Sequence, residues 1–240
     1  DAFNVFVFLE ISSLSSYVLI SLGRQPMALT AAYRYLVLGT IGATFYLIGV
    51  GLLYQATGTL NIADLAVRVS ELSDSRSVRA AFGFMTVGIG IKLALFPLHV
   101  WLPNAYAYAP SVSSAFLAAT ATKVSIYVLI RVFYTIFGPA FSFETLPLDW
   151  VLLPLAIIAM FAGSVIAIFE VDVKRMLAYS SVAQIGYIIL GISLASVLGL
   201  TGGLLHLFNH ALMKGSLFLA MGCVFYRLGS VALSDLDGVG

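Results

Sequence analysis

Long apolar runs separated by short polar breaks dominate the chain, and the runs at about 2–22, 32–56, 79–101, 111–137, 150–169, 177–199 and 202–227 are each near the twenty residues that a membrane-crossing helix needs. The pattern predicts an all-α membrane bundle of about seven spanning helices, read as one transmembrane domain over 1–240. One connection departs from it. Over 58–78 the segment NIADLAVRVSELSDSRS mixes apolar and charged positions at helical spacing, which predicts an amphipathic surface loop lying along the membrane. Trp101 and Trp150 fall at predicted span ends, where an amphipathic ring suits the interface.

The third run carries the least expected chemistry. In GIGIKLALFPLHVWLPNAYAYAP, Lys92 follows at least ten largely apolar residues and the apolar run continues to Trp101, so its ammonium is far from either headgroup layer. A charge at that depth costs roughly 2.5–3.5 kcal/mol on insertion scales. Pro97 lacks an amide hydrogen and its ring clashes with the carbonyl of Leu93, so a continuous helix is not expected here. Broken backbone at membrane depth survives only beside protein or water. The stretch, with Pro97 and His99 in the break, therefore predicts a discontinuous helix lining a polar path. A proline kink with a snorkelling lysine is the plainer alternative.

Three other runs repeat the device. Glu10 lies near the middle of the first run and needs a partner there, while Ser12, Ser13, Ser15 and Ser16 suit helix packing. Lys123 sits centrally in the fourth, with Arg131 near enough to its end to snorkel. In the seventh, His206, His210 and Lys214 recur every four residues and form one stripe rising roughly 12 Å. Histidine exchanges protons near neutral pH, so the stripe has the geometry of a proton wire. Read instead as metal or haem ligands, the histidine pair lacks a nearby carboxylate or cysteine, and two ligands alone do not make a metal site. Ser180, Ser181 and Gln184 in the sixth run could hold water. Between runs five and six, Glu170, Asp172, Lys174 and Arg175 alternate in sign, as in a solvated turn whose charges pair locally.

Composition sharpens the reading. With 61% hydrophobic and 10% charged residues, the chain could not form a soluble domain of 240 residues. A formal net charge of +1 gives no electrostatic case for a nucleic-acid partner. The single Cys223 excludes an internal disulfide and any multi-cysteine metal cluster. The chain opens at Asp1 directly into an apolar run without a basic n-region, so it reads as a piece of a longer polypeptide with no signal peptide. Basic residues at the span ends favour an outside N-terminus by a narrow margin. No sequence-level repeat is visible. Glu10, Lys92, Lys123 and Lys214, each near the middle of a separate span, would together cost on the order of 10 kcal/mol unless they face one another or water. The residues themselves therefore point to ion translocation.

The stretches GIGIKLALFPLHVWLPNAYAYAPS, DVKRMLAYSSVAQIGY and HLFNHALMKGSLFLA resemble the antiporter-like subunits shared by respiratory complex I, membrane-bound hydrogenases and Mrp-type cation/proton antiporters. FPLHVWLPNAYAYAPS followed by TKVSIYVLIR is most similar to the large proton-channel subunit of the Mrp and hydrogenase branches. The resemblance implies two inverted five-helix repeats, each with one broken helix, the first marked here by Pro97. It implies that Glu10 pairs with Lys92, that Lys123 forwards the proton, and that His206, His210 and Lys214 occupy polar positions of a later helix. The four family helices before Glu10 and the second break would lie outside this sequence. It further implies translocation of protons, alone or coupled to Na+, in the inner (cytoplasmic) cell membrane, with membrane lipid and other subunits, including homologous ones, as partners. No flavin, nicotinamide, quinone or metal motif is present, so no cofactor is expected and any electron chemistry belongs elsewhere. The rival readings are a seven-helix retinal-binding photoreceptor, which would need carboxylates where the third run has Lys92, and a non-transporting scaffold subunit.

Overall fold

A computed structural model describes residues 1–238 of the chain. Nine α-helices account for most of them, in the order α1 (Ala2–Ser21), α2 (Pro26–Thr57), α3 (Ile62–Glu71), α4 (Arg76–Lys92), α5 (Leu102–Tyr108), α6 (Ser111–Arg131), α7 (Asp149–Phe169), α8 (Val173–Ser193) and α9 (Val197–Leu228). A wider π turn extends α6 to Ile136, a second occupies Ala140–Thr145, and a 3-10 turn spans Leu233–Asp235. Six of the seven predicted spans are helices long and apolar enough to cross a membrane, namely α1, α2, α6 with its extension, α7, α8 and α9. The remaining one, the third, is interrupted: α4 stops at Lys92 and the chain resumes helix only at Leu102. The protein is therefore an all-α, multi-pass membrane protein.

Local chemistry sets the boundaries. Pro26 opens α2 six residues before the predicted start, because its missing amide hydrogen is no loss in a first turn. Gly58, in the left-handed region at φ 71°, closes it. The sixth and seventh runs divide at 194–196, earlier than expected. Ala195 takes a left-handed φ of 46° and the Ser196 side chain accepts from the Gly199 amide, so a tight cap hides in the apolar stretch SLASVLGL. Within 58–78, α3 buries Leu65 and Val69 against the bundle, while Arg68 pairs with Asp64 at 3.0 Å and donates to the Thr57 carbonyl. That hydrogen bond from Arg68 holds the Asp64 carboxyl below its ordinary range.

The bundle has two parts, with α1, α2 and α4 on one side and α7 with α8 on the other; α5 and α6 bridge them, α5 touching α2 and α8 and α6 packing on α9. Water drives little helix association inside a bilayer, so close backbone approach has to supply contact. A Cβ on Gly88 would stand 2.5 Å from the Gly42 carbonyl oxygen, and one on Gly163 would stand 2.8 Å from the Ala183 amide nitrogen. These glycines are where α2 meets α4 and α7 meets α8. By contrast, Gly83 on α4 has open space beside it.

Gly88→Val should overpack the α2–α4 contact and cost about 1–3 kcal/mol, lowering the melting midpoint of detergent-solubilised protein, while Gly83→Ala leaves the midpoint unchanged. Equal midpoints for the two variants would show that this crossing does not limit stability.

Candidate functional site

The break in the third span begins at Lys92, five residues ahead of Pro97, and is wider than a kink. Ala94 takes a left-handed φ of 60°, turning the chain out of α4, and short-range bonds such as Leu95 N–H to the Gly90 carbonyl satisfy part of the freed backbone. The Ile91 carbonyl accepts from the Ala94 amide at 3.2 Å and also from a side chain, Trp101 donating its Nε1–H to it at 2.9 Å. Trp101 is thus no interface anchor. It is 2% exposed and stacks on Tyr35 at 4.0 Å, and the ring contacts continue from Tyr17 through Tyr35, Trp101 and Tyr106 to Phe218 on α9. Trp150 is 79% exposed, as an interfacial ring would be. Pro97 is exposed, and His99 stacks its ring on Phe96 at 5.1 Å.

Termination at Lys92 puts a cation on the last residue of α4, where the unpaired carbonyls of a helix end carry partial negative charge. Its Nζ donates to Glu10 Oε1 at 2.7 Å and to Ser13 Oγ at 2.6 Å, with the lysine side chain 4% and the glutamate side chain 21% exposed. Ser13 passes its own hydroxyl hydrogen to the Leu9 carbonyl, which leaves a lone pair for the ammonium. Ser12, Ser13 and Ser16 line a cavity of about 190 Å³ with Tyr35, Lys92, Thr120 and Ser125, and Ser13 and Ser16 are also buried in the bundle. The cavity opens beside the pair and reaches α6.

Lys123 is buried on α6 and donates to the Ala118 carbonyl of its own helix. The helices α6 and α9 run antiparallel, with Gly215 beside Ala119 and Gly222 beside Ser111. Continuing that register one turn sets Lys123 opposite the His210 turn of α9. On α9, His210, Lys214 and Phe218 are buried on one stripe. The rings of His206 and His210 stand parallel with centroids 6.1 Å apart. His206 Nε2 meets Gln184 Oε1 at 2.6 Å, and Lys214 donates to the Leu177 carbonyl at 2.8 Å and to Ser180 Oγ at 3.0 Å. Gln184 and Ser180, read from the sequence as water-holding positions, are direct partners of His206 and Lys214.

The expected relay residues therefore fall into two clusters. Glu10 and Lys92 form one, with Ser13. His206, His210 and Lys214 form the other, with Lys123 facing it from α6. Among the described residues no hydrogen bond joins Lys92 to Lys123, and neither Lys123 nor Lys214 pairs with a carboxylate. Both ring nitrogens of His210 are buried without a protein partner. His99 and Pro97 belong to the break and not to either cluster. The sequence reading missed two participants, Trp101 and Lys174. Lys174 is 5% exposed and donates to the Ala109 carbonyl at 3.0 Å, whereas its neighbours Arg175 and Glu170 do pair locally at 3.0 Å. Helical periodicity was the available signal, since Lys174 lies four residues before Ala178 and eight before Val182, on the buried face of α8.

The chain is thus a multi-pass bundle with an interrupted helix and buried titratable groups on adjacent spans. The chain belongs to the NADH:quinone oxidoreductase/Mrp antiporter transmembrane family, which it matches over residues 1–237. It is 50% identical to NADH-quinone oxidoreductase subunit N of Desulforudis audaxviator (strain MP104C), an alignment covering 100% of this chain and 47% of the relative. It is 35% identical to a Na(+)/H(+) antiporter subunit of Alkalihalophilus pseudofirmus, covering 100% of this chain and 48% of that protein. A chain of the membrane-bound sulfane sulfur reductase, an archaeal respiratory membrane complex, superposes with a TM-score of 0.89 at 34% identity, covering 98% of this chain and 48% of that one. The chain thus spans about half the length of the curated relatives it matches. Family membership leaves the retinal-binding alternative without support.

Trp101→Phe keeps the ring stack but removes one of the donors to the buried Ile91 carbonyl, an expected loss of roughly 0.5–1.5 kcal/mol in stability. Thermal unfolding of the solubilised protein reads it, and an unchanged midpoint would mean that another donor replaces the indole.

Proposed function

We propose that this chain is the central part of a subunit that moves protons, alone or exchanged for Na+, across the cell membrane through Glu10, Lys92, Lys123, His206, His210 and Lys214. The single observation that carries the reading is the buried Lys92–Glu10 pair at the open end of a broken helix, with a second set of buried basic groups one helix away. The relatives, by their names, are subunits of a quinone oxidoreductase and of an antiporter, which supports other membrane subunits as partners, homologous ones among them.

The proton step follows from electrostatics. Withdrawing Glu10 from Lys92 leaves a buried ammonium without its counter-charge, an imbalance worth about 3–5 kcal/mol when such a pair is broken. Lys92 then sheds its proton toward the serine-lined cavity and α6. Lys123 receives it and faces Lys214 and His210 with no carboxylate between them. Like charges on these facing groups repel, so a proton arriving on Lys123 favours departure from the α9 stripe. The parallel histidine rings carry it along α9 past Gln184. Re-forming the Glu10–Lys92 pair resets the relay. The 58–78 segment is proposed to lie along the membrane surface and anchor the outer end of α4.

In the full-length subunit within its complex, Lys123→Ala should abolish proton uptake by vesicles while assembly is retained, and Lys92→Ala should do the same. Lys92→Arg should fail too, because a guanidinium pairs with Glu10 but does not release its proton. Flux retained in Lys123→Ala would make the buried charges structural and the chain a scaffold.

A further inference from the structure

Lys174 stands outside both clusters, yet its side chain is buried at the meeting point of three elements. Its Nζ donates to the carbonyls of Ala109 at 3.0 Å and Ala107 at 3.5 Å. These groups close α5, where the last carbonyls of a helix have no amide donors of their own. Ser114 Oγ donates to Tyr106 O at 2.7 Å and lies 3.1 Å from Ala109 O, so two side chains seal this end. A cation there also meets the negative pole of the helix. The nearby carboxylates are committed elsewhere: Asp172 accepts from the Arg175 amide to cap α8, and Glu170 holds the Arg175 guanidinium.

The start of α8, just before Lys174, is in turn sewn to the chain that follows α9. Val173 N–H donates to the Val231 carbonyl at 3.0 Å, and Leu233 N–H to the Val171 carbonyl at 2.9 Å. At the opposite end of α5, Trp101 holds the Ile91 carbonyl beside Lys92. Seven residues of helix span only about 10 Å, too short to bend appreciably. The second half of the broken helix is therefore a strut pinned at one end next to Lys92 and at the other by Lys174, which stands on α8 and is tied to the end of α9.

We propose that Lys174 is a positioning residue: by clamping the C-terminal end of α5 to α8 it sets the stance of Lys92 toward Glu10 and Ser13, and so joins the geometry of the first cluster to the helices of the second. The proposal rests on the relay reading for its effect on transport, but the clamp itself is a separate matter of geometry.

The test uses the full-length subunit in its native complex, with Lys174→Met, Lys174→Arg and Ser114→Ala compared with wild type and Lys123→Ala. Hydrogen exchange of the 102–108 amides reads the clamp, and the pH profile of proton uptake in vesicles reads the coupling. Lys174→Met should speed exchange in α5, lower uptake roughly tenfold and displace the pH profile by about one unit. Lys174→Arg, whose guanidinium donates to the same carbonyls, should restore all three. Ser114→Ala should produce a smaller change in the same direction, and it decides the matter if Lys174→Met does not assemble. Wild-type exchange in Lys174→Met overturns the clamp. Faster exchange with an unmoved pH profile overturns the coupling, as does a Lys174→Arg variant as impaired as Lys174→Met. Uptake retained in Lys123→Ala strikes the relay reading alone, and exchange in α5 still decides the clamp.

Discussion

A lysine ammonium held at the broken end of a helix, far from bulk water, is the constraint around which this bundle is arranged. Such a charge is tolerated only when its donors are met, and Lys92 meets Glu10 Oε1 and Ser13 Oγ while the carbonyl pole of α4 adds a favourable field. Each of these partners imposes a further demand. Glu10 has to project from α1 at the depth of the α4 terminus. Ser13, one turn along, needs the Leu9 carbonyl to take its hydrogen. The interrupted backbone after Lys92 needs its own donors, which the Trp101 indole and the local turn provide.

Packing serves the same end. Glycines let α2 and α4 approach at backbone distance, and the aromatic contacts from Tyr17 to Phe218 run from α1 across the break to α9. Rigid rings and close backbones suit a site whose charges must keep fixed spacing, because a shift of an ångström changes a buried electrostatic interaction far more than it would in water. The two charged clusters lie on either side of α6, with a serine-lined cavity on the Lys92 side and the α9 stripe on the other.

Much of the fold was legible because membrane helices must satisfy every backbone group internally, so apolar length alone marks them. Six spans and the interruption of the remaining one, the third, follow from that rule and from Pro97. The candidate site was legible for a related reason: Glu10, Lys92, Lys123 and Lys214 are costly where they stand, and a costly residue in an apolar run is conspicuous. Trp101 and Lys174 were not conspicuous. A tryptophan near a span end and a lysine in a charged loop both have ordinary interfacial explanations, and their burial depends on which helix happens to lie above them.

The sequence by itself determined the membrane class, the order of the long helices, and the identity of the residues that cannot sit in lipid unpaired, since all of these depend on composition and local periodicity. Only the tertiary structure decided that the break starts at Lys92, that Ser13 and not a second carboxylate completes the pair, that Lys123 faces α9 from α6, and that Lys174 closes α5. Those outcomes are set by the rotation and register of whole helices against one another. Helix rotation is chosen by glycine contacts and ring stacking between residues distant in sequence, and no window along the chain contains both sides of such a contact.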